Sequence, residues 1–196
     1  TSMSQMFDNA TSFNRDISKW DVSKVTYMTE MFKDATSFNG DISKWNVSKV
    51  LTMSSMFWGA NKFDGTGQKN INTKKIILDD GTTYTAWDVS KVTSMLRMFY
   101  DATSFNGDIS KWDVSEVKYM GGMFYNATSF NGDISKWDVS KVENMNSMFR
   151  GATKFNSDIS KWNVSEGANT GYMFKDATAM NDCNRPRKLQ ITTSCP

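Results

Sequence analysis

The sequence predicts an α/β fold: a single solenoid of about seven stacked coils, each with a short strand and a helix, and one β-hairpin insertion. The first observation behind this prediction is a 25-residue repeat, seen in the spacing of seven Met-Phe pairs. The second is a tryptophan that keeps the same spacing, and both series are interrupted once, at the same place, by 17 extra residues. The phenylalanines of the pairs are Phe7, Phe32, Phe57, Phe99, Phe124, Phe149 and Phe174.

The helix of each coil is predicted from the spacing of its apolar residues. Between Val25 and Ala35 they recur at intervals of three, three, one and three residues, which places them on one helical face. A serine stands before each such segment, where its hydroxyl can accept a hydrogen bond from a free amide of the first turn. These predicted N-caps are Ser23, Ser48, Ser90, Ser115 and Ser140.

The other half of each coil contains turn-forming residues and a predicted strand, at Asp41 to Ser43 in the second coil. Stacking would place equivalent side chains in ladders, with phenylalanine, methionine and tryptophan inside. An asparagine ladder is expected to hold backbone amides at a repeated turn, since asparagine side chains mimic the backbone there. Its members are Asn14, Asn39, Asn106, Asn131 and Asn156.

The sequence departs from the 25-residue repeat at two places, and these places define the predicted domain boundaries. The repeat region is expected to span 1–182, with an insertion hairpin at 64–86, where two β-prone runs flank Asp79, Asp80 and Gly81. Residues 183–196 are predicted to form a cap or tail, since terminal repeats need a polar outer face. Because residues 1–7 match only the second half of the predicted helix, we expect the chain to be a fragment of a longer protein.

Composition argues against several classes of function. The chain of 196 residues has 23 basic and 21 acidic residues and no basic block, so no nucleic-acid partner is expected. No apolar run is long enough to insert into a membrane. The absence of histidine removes the commonest general base and metal ligand. We therefore expect no catalytic residues and no cofactor.

The two cysteines lie close together near the C-terminus, outside the repeats. A disulfide between Cys183 and Cys195 would suit an extracellular protein, whereas a free pair would suit a cytosolic one. The sequence favours the disulfide and a location outside the cell. Four N-x-S/T motifs are possible glycosylation sites in that setting, although the repeat generates such motifs readily. They are Asn9, Asn46, Asn126 and Asn163.

Two ladders of aspartates raise the question of calcium, which binds several oxygen ligands. A parallel row of lysines can compensate the first ladder without an ion, so no metal site is predicted. The first ladder comprises Asp16, Asp41, Asp108, Asp133 and Asp158, the second Asp21, Asp88, Asp113 and Asp138, and the lysine row Lys19, Lys44, Lys111, Lys136 and Lys161.

The motif M-F-x-x-A-T-S-F-N-x-D-I-S-K-W-D-V-S-K-V-x-x-M resembles the repeat of the BspA-like leucine-rich-repeat surface proteins, in the short-repeat branch first noted in Mycoplasma lipoproteins. The resemblance covers residues 1–181 apart from the insertion. It implies leucine-rich-repeat-like coils and a secreted or surface-attached protein that takes part in adhesion. Fold transfers through such a resemblance better than function does.

The candidate binding site is a set of three aromatics that directly follow Met-Phe in successive coils: Trp58, Tyr100 and Tyr125. Exposed aromatics can stack on sugars or anchor a protein partner, and a neighbouring hairpin would make this place unique on a periodic surface. Packing beneath the hairpin is the alternative. The function predicted is therefore non-enzymatic adhesion to a protein or glycan partner. A structural spacer of a larger adhesin and a threonine-rich surface for ice or mineral are the alternatives.

Overall fold

The computed structural model describes residues 1–191 and 195, and in these residues it contains no α-helix. Its only sheet there is the antiparallel pair β1 (Lys74–Ile77) and β2 (Thr83–Ala86), in register Lys74 with Ala86. Most of the described chain is turns and irregular backbone. The predicted α/β solenoid of leucine-rich-repeat-like coils is therefore wrong. Short 3-10 helices span Gly67–Lys69, Asp182–Asn184 and Arg187–Leu189.

Left-handed residues explain why the predicted helices do not form. Within the segment from Val25 to Ala35, Glu30 has a φ of 57° and Asp34 a φ of 53°. A side chain in this region strains the backbone, and a right-handed helix cannot pass through it. The same two template positions are left-handed in every repeat. They are Gln5, Asn9, Glu30, Asp34, Ser55, Gly59, Arg97, Asp101, Gly122, Asn126, Ser147, Gly151, Tyr172 and Asp176.

Hydrogen bonds between repeats replace those of the missing helix. The N–H groups of Glu30 and Phe32 donate to the carbonyls of Ser54 and Met56, both at 2.9 Å, one repeat further on. Isolated parallel bridges run through the same segment, whereas the predicted strand at Asp41 to Ser43 is irregular and turn backbone. Backbone groups buried among neighbouring repeats are satisfied in this way. The bridges join Ser2, Tyr27, Thr52, Ser94, Tyr119, Asn144 and Asn169 in succession.

The serines predicted to cap helices instead close small turns. The N–H of Ser23 donates to Asp21 Oδ1 at 2.9 Å, and Ser18 donates in the same way to Asp16. Such turns use the aspartate side chain as a substitute for backbone. Hydrogen bonds from Ser23 hold the pKa of Asp21 below its ordinary value. Both aspartate ladders therefore have a structural role in the turns.

The asparagine ladder joins neighbouring repeats. The Asn39 N–H donates to Asn14 Oδ1 of the preceding repeat at 2.9 Å, and the Asn156 N–H donates to Asn131 Oδ1 at 2.8 Å. The prediction that this ladder holds backbone amides is confirmed. Because each amide belongs to the following repeat, the ladder also ties adjacent repeats together.

The core lies where the apolar pattern predicts it. Met28, Met31 and Phe32 are fully buried. The rings of Phe32 and Phe38 stack at 4.0 Å between centroids, and Phe32 also stacks on Phe57 of the next repeat at 5.6 Å. Five tryptophans at the repeated position are buried as well, and their indole N–H groups donate to isoleucine carbonyls of the preceding repeat: Trp45, Trp87, Trp112, Trp137 and Trp162. Burial was thus predicted correctly for the inner repeats although the backbone was not, whereas Met6 and Trp20 of the first repeat are 46% and 39% exposed.

The insertion enters the repeat at two places. Asn70, Ile71 and Asn72 take the places of Asp41, Ile42 and Ser43, since Asn72 N–H donates to Asn70 Oδ1 at 2.6 Å and Ile71 is fully buried. The extra residues are therefore 66–69, which include a 3-10 turn, and 74–86, which form the hairpin. The predicted hairpin is present, but it begins at 74 and not at 64.

The C-terminal segment packs on the last repeat. Cys183 and Cys195 form a disulfide with a Cα–Cα distance of 5.2 Å, as the sequence favoured. The Arg185 guanidinium lies over the Phe174 ring at 5.4 Å, and the Asn184 side chain donates to the Asn156 carbonyl. In the part of the chain that the structure describes, no helix has the length and apolar character needed to cross a membrane.

Candidate functional site: the aromatic row

The structure brings Trp58, Tyr100 and Tyr125 together, and we call these three residues the aromatic row. Ring centroids lie 4.8 Å apart between Trp58 and Tyr100 and 4.3 Å apart between Tyr100 and Tyr125. Each residue precedes a left-handed position, at Gly59, Asp101 and Asn126, and each follows a buried phenylalanine. The side chains therefore lie outside the phenylalanine core, side by side on adjacent repeats, and are half-buried.

Cationic side chains cover the two ends of the aromatic row. Lys33 Nζ lies 5.3 Å and the Arg97 guanidinium 5.5 Å from the centroid of Trp58. At the other end the Arg150 guanidinium lies 5.5 Å from the centroid of Tyr125. Cations are attracted to the negative face of an aromatic ring. The row is therefore a stack with positive charge at both ends.

This stacking decides which atoms of the row a partner can reach. Trp58 lies against one side of Tyr100 and Tyr125 stacks in parallel on it, with an interplanar angle of 2°. Partial burial, with the neighbouring Tyr125 next in importance, raises the pKa of Tyr100 above its ordinary value. The row thus presents ring edges and hydroxyl donors more than open ring faces.

A notch that the sequence did not predict opens beside the aromatic row. Its volume is about 330 Å³, and Gly121 and Gly122 belong to its lining. The Gly-Gly pair is a signal in the sequence, because this repeat alone has glycine at both positions, where an earlier repeat has Leu96 and Arg97. The notch is walled by Leu96, Arg97, Tyr100, Tyr125, Asn144, Asn146, Ser147 and Arg150.

The hairpin contacts a different part of the molecule. The Tyr84 hydroxyl donates to the Lys44 carbonyl at 2.6 Å, and Tyr84 and Leu78 line a groove of about 510 Å³ together with Trp20. Among the described residues, no hydrogen bond or ring contact joins the hairpin to the aromatic row. The contacts of the hairpin therefore lie with Lys44 and Trp20, and the predicted neighbourhood of row and hairpin stays a prediction.

The four possible glycosylation sites differ in their surroundings. Asn9 and Asn163 are exposed. Asn46 Oδ1 accepts hydrogen bonds from the N–H and hydroxyl of Ser48, and Asn126 Nδ2 donates to Asp101 Oδ1 at 2.9 Å. Asn9 and Asn163 are therefore the more accessible acceptors.

The aspartate ladders do not form short ion pairs with the lysine row. The ion pairs of the described residues involve other side chains, such as Lys118 with Glu143 at 3.6 Å. Hydrogen bonds from Ser160 lower the pKa of Asp158 first, and the charge of Lys161 adds a smaller contribution. The predicted compensation by lysine is therefore secondary to the turn hydrogen bonds.

Comparison with known proteins gives one family. The model of the family described as Mycoplasma protein of unknown function, DUF285, matches residues 1–81 and 68–185. No curated protein and no solved structure shows a significant match.

Proposed function

The chain belongs to the family of Mycoplasma proteins of unknown function, DUF285, and on that premise we propose that it is a non-enzymatic binding protein. Its partner is a protein or glycan on another surface, contacted through the aromatic row and the notch. The observation that carries the proposal is the row itself, in which three aromatics and three cations from consecutive repeats meet at one place. Such residues are enriched where proteins bind partners.

The rest of the molecule supports a binding role better than a catalytic one. Histidine is absent from the sequence, and the carboxylates recur in repeat after repeat in the same turns. A catalytic site needs a unique set of groups whose environments differ from one another. The periodic surface offers a scaffold, and the aromatic row breaks its periodicity.

We place the protein outside the cell, secreted or on a cell surface. The disulfide between Cys183 and Cys195 supports this, since such bonds persist in oxidising surroundings. The resemblance of the repeat to BspA-like surface proteins supports the same location and a role in adhesion.

The experiment that tests this function measures binding of the purified chain to a glycan array and to immobilised extracellular-matrix proteins. The triple variant Trp58→Ser, Tyr100→Ser, Tyr125→Ser should lose at least tenfold in affinity, because a hot-spot aromatic contributes about 2 kcal/mol or more. The matched control is Tyr27→Ser with Tyr119→Ser, two tyrosines that are 47% and 43% exposed outside the row.

The control variant should bind as the wild type does, and all three proteins should unfold at similar temperatures. Normal binding by the folded triple variant would place the site elsewhere. A folded wild type that binds nothing on either surface would contradict the proposal and favour the spacer. The threonine surface is less suited to ice, since the hydroxyls of Thr36, Thr128 and Thr153 donate to carbonyls of the preceding repeat.

A further inference from the structure

We infer that the notch beside the aromatic row binds the carboxylate of an acidic sugar, an inference that rests on the proposed function and narrows its ligand class. The notch lies in the middle of the chain, on repeats whose neighbours are present on both sides. Its size of about 330 Å³ falls in the range of small-ligand sites. Shape, charge and polarity each contribute to the inference.

The shape of the notch depends on two glycines that the backbone does not require. Gly122 has a φ of 60°, but Ser55 and Ser147 hold the same template position at 55° and 54°. Gly121 has no left-handed φ, and Leu96 occupies its position one repeat earlier. Side chains are therefore tolerated at both positions elsewhere in this chain. The consequence of having glycine at both is an open space between adjacent repeats.

Positive charge faces this space from both sides. Arg97 has no carboxylate within ion-pair distance among the described residues, while Arg150 contacts Asp176 through Nε at 3.7 Å. The carboxylate of Asp101, which follows Tyr100 in the chain, accepts a hydrogen bond from Asn126. A guanidinium binds a carboxylate through two parallel hydrogen bonds, with more specificity than a lysine offers. The notch is therefore suited to a monovalent carboxylate.

The remaining wall favours a sugar over a peptide. Asn144, Asn146 and Ser147 supply amide and hydroxyl groups, and Leu96 is the one aliphatic side chain in the lining. Peptide partners are usually anchored by apolar side chains in apolar pockets. A sugar ring carries several hydroxyls that can pair with these amides, and its C–H edges can rest against the tyrosine rings. We therefore assign an acidic sugar as the occupant.

The test is calorimetric titration of the whole chain with trigalacturonate and with its fully methyl-esterified form. Esterification removes the charge and leaves the sugar rings in place. Trigalacturonate should bind at least tenfold more tightly than the ester, and its affinity should fall as salt rises. Comparing the affinity for sialyllactose with that for lactose repeats the test with a second acidic sugar. Equal affinity for acid and ester would overturn the inference.

Two variants locate the binding. Arg97→Gln should weaken trigalacturonate binding at least tenfold, whereas the same change at the exposed Lys136, outside the notch, should have little effect. Gly121→Leu should fill the notch and abolish binding, with Thr29→Leu as the control at the same template position. If Gly121→Leu fails to fold, Arg97→Gln carries the test alone, because Arg97 is exposed.

The other outcomes separate this inference from the proposed function. Tighter binding of oligoglutamate than of trigalacturonate would mean a protein partner, which overturns the inference and leaves the proposed function standing. The same holds if neutral sugars bind at the aromatic row. If the triple variant of the row and the wild type both bind nothing on any surface, both proposals fail.

Discussion

The indole N–H of Trp112 donates a 2.8 Å hydrogen bond to the carbonyl of Ile71, 41 residues earlier in the chain. In uninterrupted repeats the same bond spans 28 residues, as between Trp45 and Ile17. The bond identifies Ile71 as the isoleucine of its repeat. The insertion therefore lengthens the chain on both sides of Ile71 without changing the contacts between repeats.

Replacing Trp112 with alanine should destabilise the protein by about 3–5 kcal/mol, the usual cost of removing a large buried aromatic. Trp112 is 3% exposed and stacks on Trp87 and Trp137. Urea unfolding followed by fluorescence of the remaining tryptophans measures the loss. Trp112→Phe should cost less, since it retains an aromatic ring. A loss below about 1 kcal/mol for the alanine variant would show that this ladder does not belong to the core.

Deleting residues 74–86 should leave the repeats intact and change the free energy of unfolding by less than about 2 kcal/mol, because long surface insertions contribute little to stability. Thr73 Oγ1 already lies 2.8 Å from the Trp87 carbonyl, so the cut ends are near each other. The control deletion of 64–76 has the same length but removes Ile71. Equal stability of the two deletions would mean that Ile71 has no place in the repeat.

Acid should destabilise the protein through its aspartate turns. Hydrogen bonds from the serine two residues on lower the pKa of Asp133, Asp138 and Asp158 in the folded state. A carboxyl whose pKa is lower in the folded state than in the unfolded state stabilises the fold at pH values above its unfolded pKa of about 3.9. This stabilisation is lost as the pH falls through the pKa of the folded state. Replacing all three with asparagine, which can still accept the hydrogen bond, should flatten the loss of stability between about pH 5 and pH 2.

Urea unfolding at several pH values measures this slope. The alanine triple variant serves as a control, since it cannot accept the hydrogen bonds and should be less stable at neutral pH as well. An unchanged slope in the asparagine variant would show that these carboxylates do not drive the acid sensitivity.

Left-handed positions should respond to glycine differently from their neighbours. Ser55 and Ser43 are both buried, but only Ser55 has a positive φ, of 55°. Ser55→Gly should be neutral or stabilise by up to about 1 kcal/mol, because glycine relieves the strain. Ser43→Gly should destabilise by about 0.5–1 kcal/mol, because the unfolded chain gains freedom. Thermal unfolding of the two glycine variants measures these changes in stability. Equal losses of stability in both variants would show that the backbone at Ser55 is not strained.

The repeat, its core and the hairpin could be predicted because each depends on local pattern. Phe32 and Met28 are buried as their periodicity indicated, and the strands lie where β-prone residues flank Gly81. The local pattern could not, however, exclude the helix that was predicted for each repeat. Spacings of three and four residues also arise when tight turns and left-handed residues alternate, and Glu30 has no sequence signature of a positive φ.

The candidate site was predicted in part for the same reason. The aromatic row follows from the repeat, since equivalent residues of adjacent repeats become neighbours. The place where the hairpin packs does not follow from the repeat, because it depends on the Tyr84 hydroxyl donating to the Lys44 carbonyl in another repeat. The notch needed the structure too, since Gly121 leaves a space only in relation to the side chains of the repeats on either side.

The sequence by itself determined which side chains are buried, which residues are equivalent and where the repeat is interrupted, since these depend on composition and spacing along the chain. The tertiary structure alone decided the backbone conformation and the shape of the site. The N–H of Phe32 finds its acceptor at Met56 in the next repeat and not four residues earlier in its own. Hydrogen bonds between distant residues stabilised a backbone that local propensity alone would have placed in helices.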